Sequence, residues 1–258
     1  MSSVSRVLVG AAAVVAVAVT GCATKGVPYQ TPSSSAAPAP ATAAPAPTES
    51  MTPVPAASGQ LTGTQLQSVL LPQSFFPAGF TLSSSSAVSS GDTLTSAPPQ
   101  YALATTSCAT FINNFGNTGF GETAMAAQSA AAQSEQAFDQ IVYQFSSPAA
   151  ASAFVAGVKS LAARCNSFTA TDNGVRGQFS LRAASGPAVG GHPSLELTQT
   201  GALNGSSLTL DTLLSASGAD VFAGAAVGLG VAPPTSLATE TIVYNLMKRQ
   251  AAAAVLGG

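Results

Sequence analysis

Val19-Thr20-Gly21-Cys22 closes a segment that begins with a lone positive residue, Arg6, and runs uncharged from Val7 to Val19. This is the pattern of a signal peptide ending in a lipobox: small residues at Thr20 and Gly21 admit a peptidase, and the Cys22 thiol takes a diacylglyceryl thioether. The apolar run is about 13 residues, short of the roughly 20 that a spanning helix requires. Residues 1–21 are therefore expected to be removed and Cys22 to be lipidated. Two or three acyl chains on one residue would hold the protein stably on the membrane, extracytoplasmic and anchored to the outer leaflet of the cytoplasmic membrane. The folded body must then be built from residues beyond Cys22, with only two of the three cysteines left to it.

The next stretch cannot contribute a core. From Thr24 to about Ser58 the chain is Pro, Ala, Ser and Thr, as in Ala36-Ala37-Pro38-Ala39-Pro40 and Ala44-Pro45-Ala46-Pro47. It has nothing to bury, and its prolines deny it helix or ladder hydrogen bonds, so residues 22–58 are expected to form a disordered tether. Such a tether reaches roughly 30 Å as a flexible coil and approaches 100 Å as polyproline II. The folded domain is placed at 59–250, enough chain for one core, with 251–258 as a flexible tail.

Charge narrows the function. Only 7% of the 258 residues are charged and the net charge is −2. Eight Lys and Arg make no basic stripe able to neutralise many phosphates, which excludes ordinary nucleic-acid binding. One His and three Cys are too few ligands for most metal sites, so no metal and no cofactor is expected. Gly116, Gly119 and Gly121 form G-x-x-G-x-G, but they neither follow a strand nor open a helix within a βαβ unit. The motif reads as a loop whose glycines would let backbone amides approach a ligand in a cleft.

Periodicity supplies the elements. A short helix capped by Thr64 turns Leu66, Val69 and Leu70 inward and ends before Pro72. Cys108, Phe111, Ile112 and Phe115 recur at i, i+3, i+4 and i+7, with Gly116 as the stop. Ser147 as N-cap and Pro148 at N1 open a third helix with Phe154, Val155, Val158, Leu161, Ala162 and Cys165 on one stripe. A fourth covers Ser236 to Arg249, with Ile242 and Leu246 inward and Lys248 and Arg249 at its negative end. Strands are expected over Phe138–Phe145 and Gln178–Arg182, and where Leu195 and Leu197 flank Glu196. Leu203-Asn204-Gly205-Ser206 is a two-residue hairpin signal, and Asp220–Leu229 is a further strand whose glycines and alanines suggest close approach of a neighbour. The fold class is α+β: an antiparallel sheet packed by several helices, which the order of elements places on one face.

With Cys22 lipidated, Cys108 and Cys165 are an even pair in an oxidising compartment, where such pairs usually bridge; two buried free thiols are the alternative. A bridge would stabilise the fold by roughly 4 kcal/mol, on loop entropy, and clamp the second helix to the third.

These residues carry a family resemblance. Cys108, Ile141-Val142-Tyr143-Gln144-Phe145, Ser147-Pro148-Ala149-Ala150-Ala151-Ser152-Ala153-Phe154 and Ala162-Ala163-Arg164-Cys165 form a frame similar to the extracellular sensor domain of actinobacterial PknH-type serine/threonine kinases. With Leu71-Pro72-Gln73-Ser74-Phe75-Phe76-Pro77-Ala78-Gly79-Phe80 and Phe115-Gly116-Asn117-Thr118-Gly119-Phe120-Gly121-Glu122-Thr123, the chain more closely resembles the stand-alone sensor domain-containing lipoproteins of actinomycetes. The resemblance implies an antiparallel sheet flanked by helices and a cleft for an unidentified cell-envelope ligand. The kinase sensor domains have two disulfides, whereas this chain can form one. With no kinase domain in the sequence, a signal would pass to a separate signalling protein.

Candidate chemistry is sparse. His192, in Gly190-Gly191-His192-Pro193-Ser194, has no G-x-S-x-G nucleophile to serve and reads as a turn entering a strand. Asp139 and Glu196 would be the acids of a glycan hydrolase, but no motif fixes their separation. Solvation, or pairing with Arg176 or Arg182, is the plainer account of both. No catalytic residue is assigned and no enzyme is expected. The expectation is a non-enzymatic ligand-binding or sensor-type lipoprotein, its ligand contacts on Tyr101, Phe120 and His192, and a neutral or amphipathic ligand favoured. A structural or assembly lipoprotein of the envelope is the alternative, and a wall hydrolase a lesser one.

Overall fold

Along Gln136–Gln144, Phe138 and Val142 are buried on one face, and so are Ile141 and Tyr143 on the other. A strand that buries both of its faces belongs inside a sheet covered on both sides. The computed structural model that shows this describes residues 51–56, 59–84, 87–94, 99–172, 175–203 and 205–256. The signal segment 1–21, Cys22 and most of the expected tether lie outside the described residues, as does the hairpin residue Asn204.

Among the described residues nine strands form one sheet: β1 (Phe80–Leu82), β2 (Val88–Ser89), β3 (Ala124–Ala132), β4 (Gln136–Gln144), β5 (Phe168–Asp172), β6 (Val175–Val189), β7 (His192–Leu203), β8 (Ser206–Ser217) and β9 (Asp220–Leu229). Their order is β1-β3-β4-β9-β8-β7-β6-β5, with β2 paired to β3, and each pairing is antiparallel. Hairpins link β5 through β9, and β9 then returns to lie against β4. The β7–β8 hairpin closes on the Leu203–Ser206 pair, with Gly205 at φ +80°.

The helices among the described residues, α1 (Gly63–Val69), α2 (Cys108–Asn114), α3 (Pro148–Ala162) and α4 (Thr239–Leu256), complete an α+β fold, along with a 3-10 turn at Gln73–Phe75. They do not share one face. On one side α1 and α4 bury Phe138, Val142, Phe222 and Ala226 beneath Leu66, Val69, Ile242 and Leu246. On the other, α2 and α3 cover Ile141, Tyr143, Leu181, Leu197 and Leu214. The order of elements could not reveal this split, because period-2 strands supply an apolar row to each side.

Local chemistry accounts for the helix ends. The cap of α1 is Thr62 rather than Thr64: Gln65 N–H donates to the Thr62 hydroxyl at 3.2 Å and the Gln65 side chain accepts from Thr62 N–H at 2.8 Å. Ser107 caps α2, and Ser147 with Pro148 at N1 caps α3 as expected. Cys108 and Cys165 are joined, with Cα atoms 5.6 Å apart, so the bridge ties the first residue of α2 to the chain just beyond α3. α4 runs past Gln250 to Leu256, which puts Arg249 inside the helix rather than at its negative end. Its guanidinium instead donates to the carbonyls of Val69 and Ser68, at 2.7 and 2.6 Å, at the exit of α1. At the other end Val54 is already in the core, ahead of the expected start at residue 59, and its N–H donates to the Gly190 carbonyl at 3.0 Å. Gly224 explains why β9 is so poor in large side chains: a Cβ there would lie 2.9 Å from that of Ile242, so the strand's smallness lets α4 sit close.

Candidate functional site

The glycine-rich loop between α2 and β3 has positive φ at Gly116, Gly119 and Gly121, as the sequence pattern requires, but its amides are committed internally. Gly116 N–H donates to the Tyr143 hydroxyl at 2.6 Å; Gly119 and Phe120 N–H donate to the two Glu122 carboxylate oxygens at 2.7 and 2.8 Å. Burial raises the Glu122 pKa while those amides pull it back, and burial also pushes the Tyr143 hydroxyl far up. Phe120 is buried, its ring 5.8 Å from Phe154 and 5.9 Å from Phe111. Tyr101 is half-buried beside it at 5.4 Å, and its hydroxyl donates to Asn114 Oδ1 at 3.0 Å.

The structure therefore brings Tyr101 and Phe120 together on the α2–α3 side. His192 is not with them. Its Nε2 lies 2.9 Å from the Val54 carbonyl and 3.2 Å from Ser217 Oγ, and Val54 belongs to the core on the α1–α4 side of the sheet.

The acids also separate. Asp139 shares a face with Ile141, where α2 and α3 pack, and is buried rather than solvated, with the Ser129 hydroxyl donating to it. Burial pushes its pKa up to about 6. Glu196 is exposed on the opposite face, since its neighbours Leu195 and Leu197 are the residues beneath α3. The two carboxylates named for a hydrolase thus do not share a face. A third acid, Asp220, was not singled out by any sequence motif. It is buried at the start of β9, accepts from Gln144 Nε2 at 3.0 Å and Gln250 Nε2 at 3.1 Å, and is also raised by burial to about 6.

Phe179 and Leu181 of β6, and Leu195 and Leu197 of β7, face α2 and α3, so the alternate residues face the other way. On that side α4 covers the end of the strands that carries Val189 and Leu213, and among the described residues no helix covers the rest. There Arg176, Arg182, Glu196 and Thr200 are exposed, while Ser180, Thr198 and Asp211 are half-buried. The register sets Arg182 opposite Thr198 and Thr198 opposite Asp211, and the Thr198 hydroxyl donates to Asp211 Oδ1 at 3.1 Å. Ser180 and Thr200 share a hydroxyl hydrogen bond at 2.8 Å one row along. The result is a broad, hydrophilic surface of hydroxyls with two guanidinium and two carboxylate groups.

Neither a family model nor a curated protein matches the chain. Among solved structures, the extracellular domain of PknH from Mycobacterium tuberculosis is similar at a TM-score of 0.50 and 14% identity, over 76% of this chain and 97% of that one. An uncharacterised Mycobacterium smegmatis protein, an Rv0999 ortholog, matches at a TM-score of 0.38 and 16% identity, over 73% and 96%. Among the described residues no helix is long and apolar enough to cross a membrane. The nine-stranded antiparallel body with its flanking helices has the fold of the PknH extracellular domain.

Proposed function

We propose that the chain is a lipid-anchored, extracytoplasmic sensor-type module that binds a cell-envelope ligand without transforming it. The observation that carries this is the uncovered part of the β6–β8 face, a hydrophilic surface on a sheet whose β4 and β9 are packed on both sides. Fold likeness to a PknH extracellular domain supports the sensor-type reading, and the lipobox at Cys22 supports the placement. Tyr101 stands at the rim of the glycine loop and His192 at the start of β7. As ligand contacts they would act separately, one on each side of the sheet, with Phe120 as the buried support of Tyr101. A signal would pass to a separate protein.

Two measurements test the proposal. Native mass spectrometry of protein taken gently from its own membranes is expected to show a bound small molecule that departs on activation. Protein uniformly free of added mass, under conditions that preserve the fold, counts against a resident ligand. A clickable fatty acid fed to the cells should label the protein at Cys22, and Cys22→Ser should lose both the label and the membrane fraction. Retained label would place the anchor elsewhere.

A further inference from the structure

Resting on the reading of β6–β8 as the binding face, we propose that its occupant is zwitterionic: an amide- and hydroxyl-bearing chain that sets a free carboxylate on Arg182 and an ammonium group on Glu196 and Asp211. Charge is the scarce resource of this protein, with eight Lys and Arg and ten Asp and Glu in all, yet four of these stand on this one surface. They are sorted by strand. Both arginines are on β6, and the acids are on β7 and β8.

These side chains are also available. Arg164 and Arg249 each spend their guanidinium on two backbone carbonyls, whereas Arg176, Arg182 and Glu196 have no side-chain partner among the described residues. Glu196 is the diagonal neighbour of Arg182, about 7–8 Å away, and Asp211 lies two strands over, roughly 10 Å. That spacing matches the distance from the carboxylate to the ε-ammonium of an extended lysine. The Thr198 hydroxyl stands between Arg182 and Asp211 in one row, and the Ser180–Thr200 pair flanks that row; these hydroxyls can both donate to and accept from amides of the ligand.

Other occupants fit less well. Mixed signs favour neither a polyanion nor a polycation. Leu213, opposite Glu196 on this face, is buried in the α4-side core, and no exposed apolar side chain larger than alanine stands on the rest of the surface among the described residues, so acyl chains would bury little. A second copy would meet matching charges but would lack the apolar centre that a stable interface needs.

The test is amide shift mapping of the full chain with four probes: acetyl-Ala-Lys bearing its free carboxylate, its C-terminal amide, its Nε-acetyl form, and chitotriose, which is neutral. The zwitterion is expected to shift amides of β6–β8, and blocking either charge to weaken binding about threefold to fivefold, the worth of an exposed ion pair. Arg182→Gln should abolish sensitivity to the carboxylate block alone, and Glu196→Gln sensitivity to the ammonium block alone. Both substitutions are on exposed positions and leave the core untouched. Equal binding by the blocked forms overturns the proposal. Shifts of β6–β8 by chitotriose but not by the zwitterion overturn the ligand chemistry and leave the binding face standing, whereas no shift with any probe sinks both. Shifts of these amides on concentrating the protein alone assign the face to a second copy and also overturn it.

Discussion

Raising the pH from 4.5 to 7.5 should lower the melting temperature of this protein, against the usual direction of acid denaturation. Asp139 and Asp220 are both buried, and burial lifts each from an ordinary 3.8 to about 6, with Ser129 on one and Gln144 and Gln250 on the other offsetting only part of the rise. A carboxyl whose folded pKa is above its unfolded value binds more protons when folded. Its stabilising contribution is fullest below about 3.8 and is lost as pH climbs through 6. Between pH 4.5 and 7.5 each acid forfeits about 2 kcal/mol, most of it below pH 6 at up to about 1.4 kcal/mol per unit, and the pair about 4. For a body of about 200 residues that is a fall of roughly 8–16 °C. Glu122, raised in the same direction, adds to it. Scanning calorimetry at half-unit steps reads the slope, and Asp139→Asn, which keeps an acceptor for Ser129, should remove about half of it while raising the melting temperature at pH 7.5. A melting temperature that is flat or climbs from 4.5 to 7.5, or an unchanged slope in Asp139→Asn, would refute the assignment of these two acids as the dominant linked groups.

Three further outcomes are expected. Reducing the Cys108–Cys165 bridge, which spans a separation of 57 residues, should cost up to about 4 kcal/mol in urea unfolding, and two thiols should titrate only after reduction; thiols titratable in the unreduced native protein would contradict the bridge. Gly119→Ala should cost roughly 1–3 kcal/mol, because φ is +123° and a Cβ would fall 2.9 Å from Tyr101 ring carbons, and a melting temperature equal to the parent's would show that the loop is not held as described. Gln144→Leu strips the acceptor from Leu61 N–H and a donor from Asp220, both buried, and should lose about 2–4 kcal/mol in the same assay, whereas a neutral result would mean that other groups satisfy them.

How far the sequence reached depended on whether the signal was local. Ser147-Pro148 and the Phe154–Leu161 stripe define α3 by themselves, and Leu203–Ser206 defines a hairpin, because capping and turn geometry involve only neighbouring residues. β3 was missed: Ala124–Ala132 is Ala-Met-Ala-Ala-Gln-Ser-Ala-Ala-Ala, a composition that favours no strand, and it is a strand only because β4 hydrogen-bonds it on one side and α1 packs on its small side chains. Asp139 was misjudged for a related reason: a polar residue on a strand reads as solvated, and only its tertiary neighbours, Ser129 among them, put it inside. The packing of Phe120 against Phe111 and Phe154 was equally illegible in a glycine-rich loop, because both partners are distant in sequence.

The uncovered face of β6–β8 is an intermediate case. Alternation was visible in Gln178–Arg182 and around Glu196, and it means that these strands bury one side only, unlike β4 and β9, which are apolar on both. An uncovered polar surface somewhere on the sheet was therefore implicit in the sequence. What it could not convey was adjacency: Arg182, Thr198 and Asp211 come from three strands, and only the antiparallel register lines them up in one row. A shift of one residue in the β6–β7 pairing would turn Leu181 outward and Arg182 beneath α3, burying a charge and exposing a core residue. The same penalty that fixes the core thus fixes the spacing of the charges, which is why a surface with no packing of its own can still present a defined pattern to a ligand.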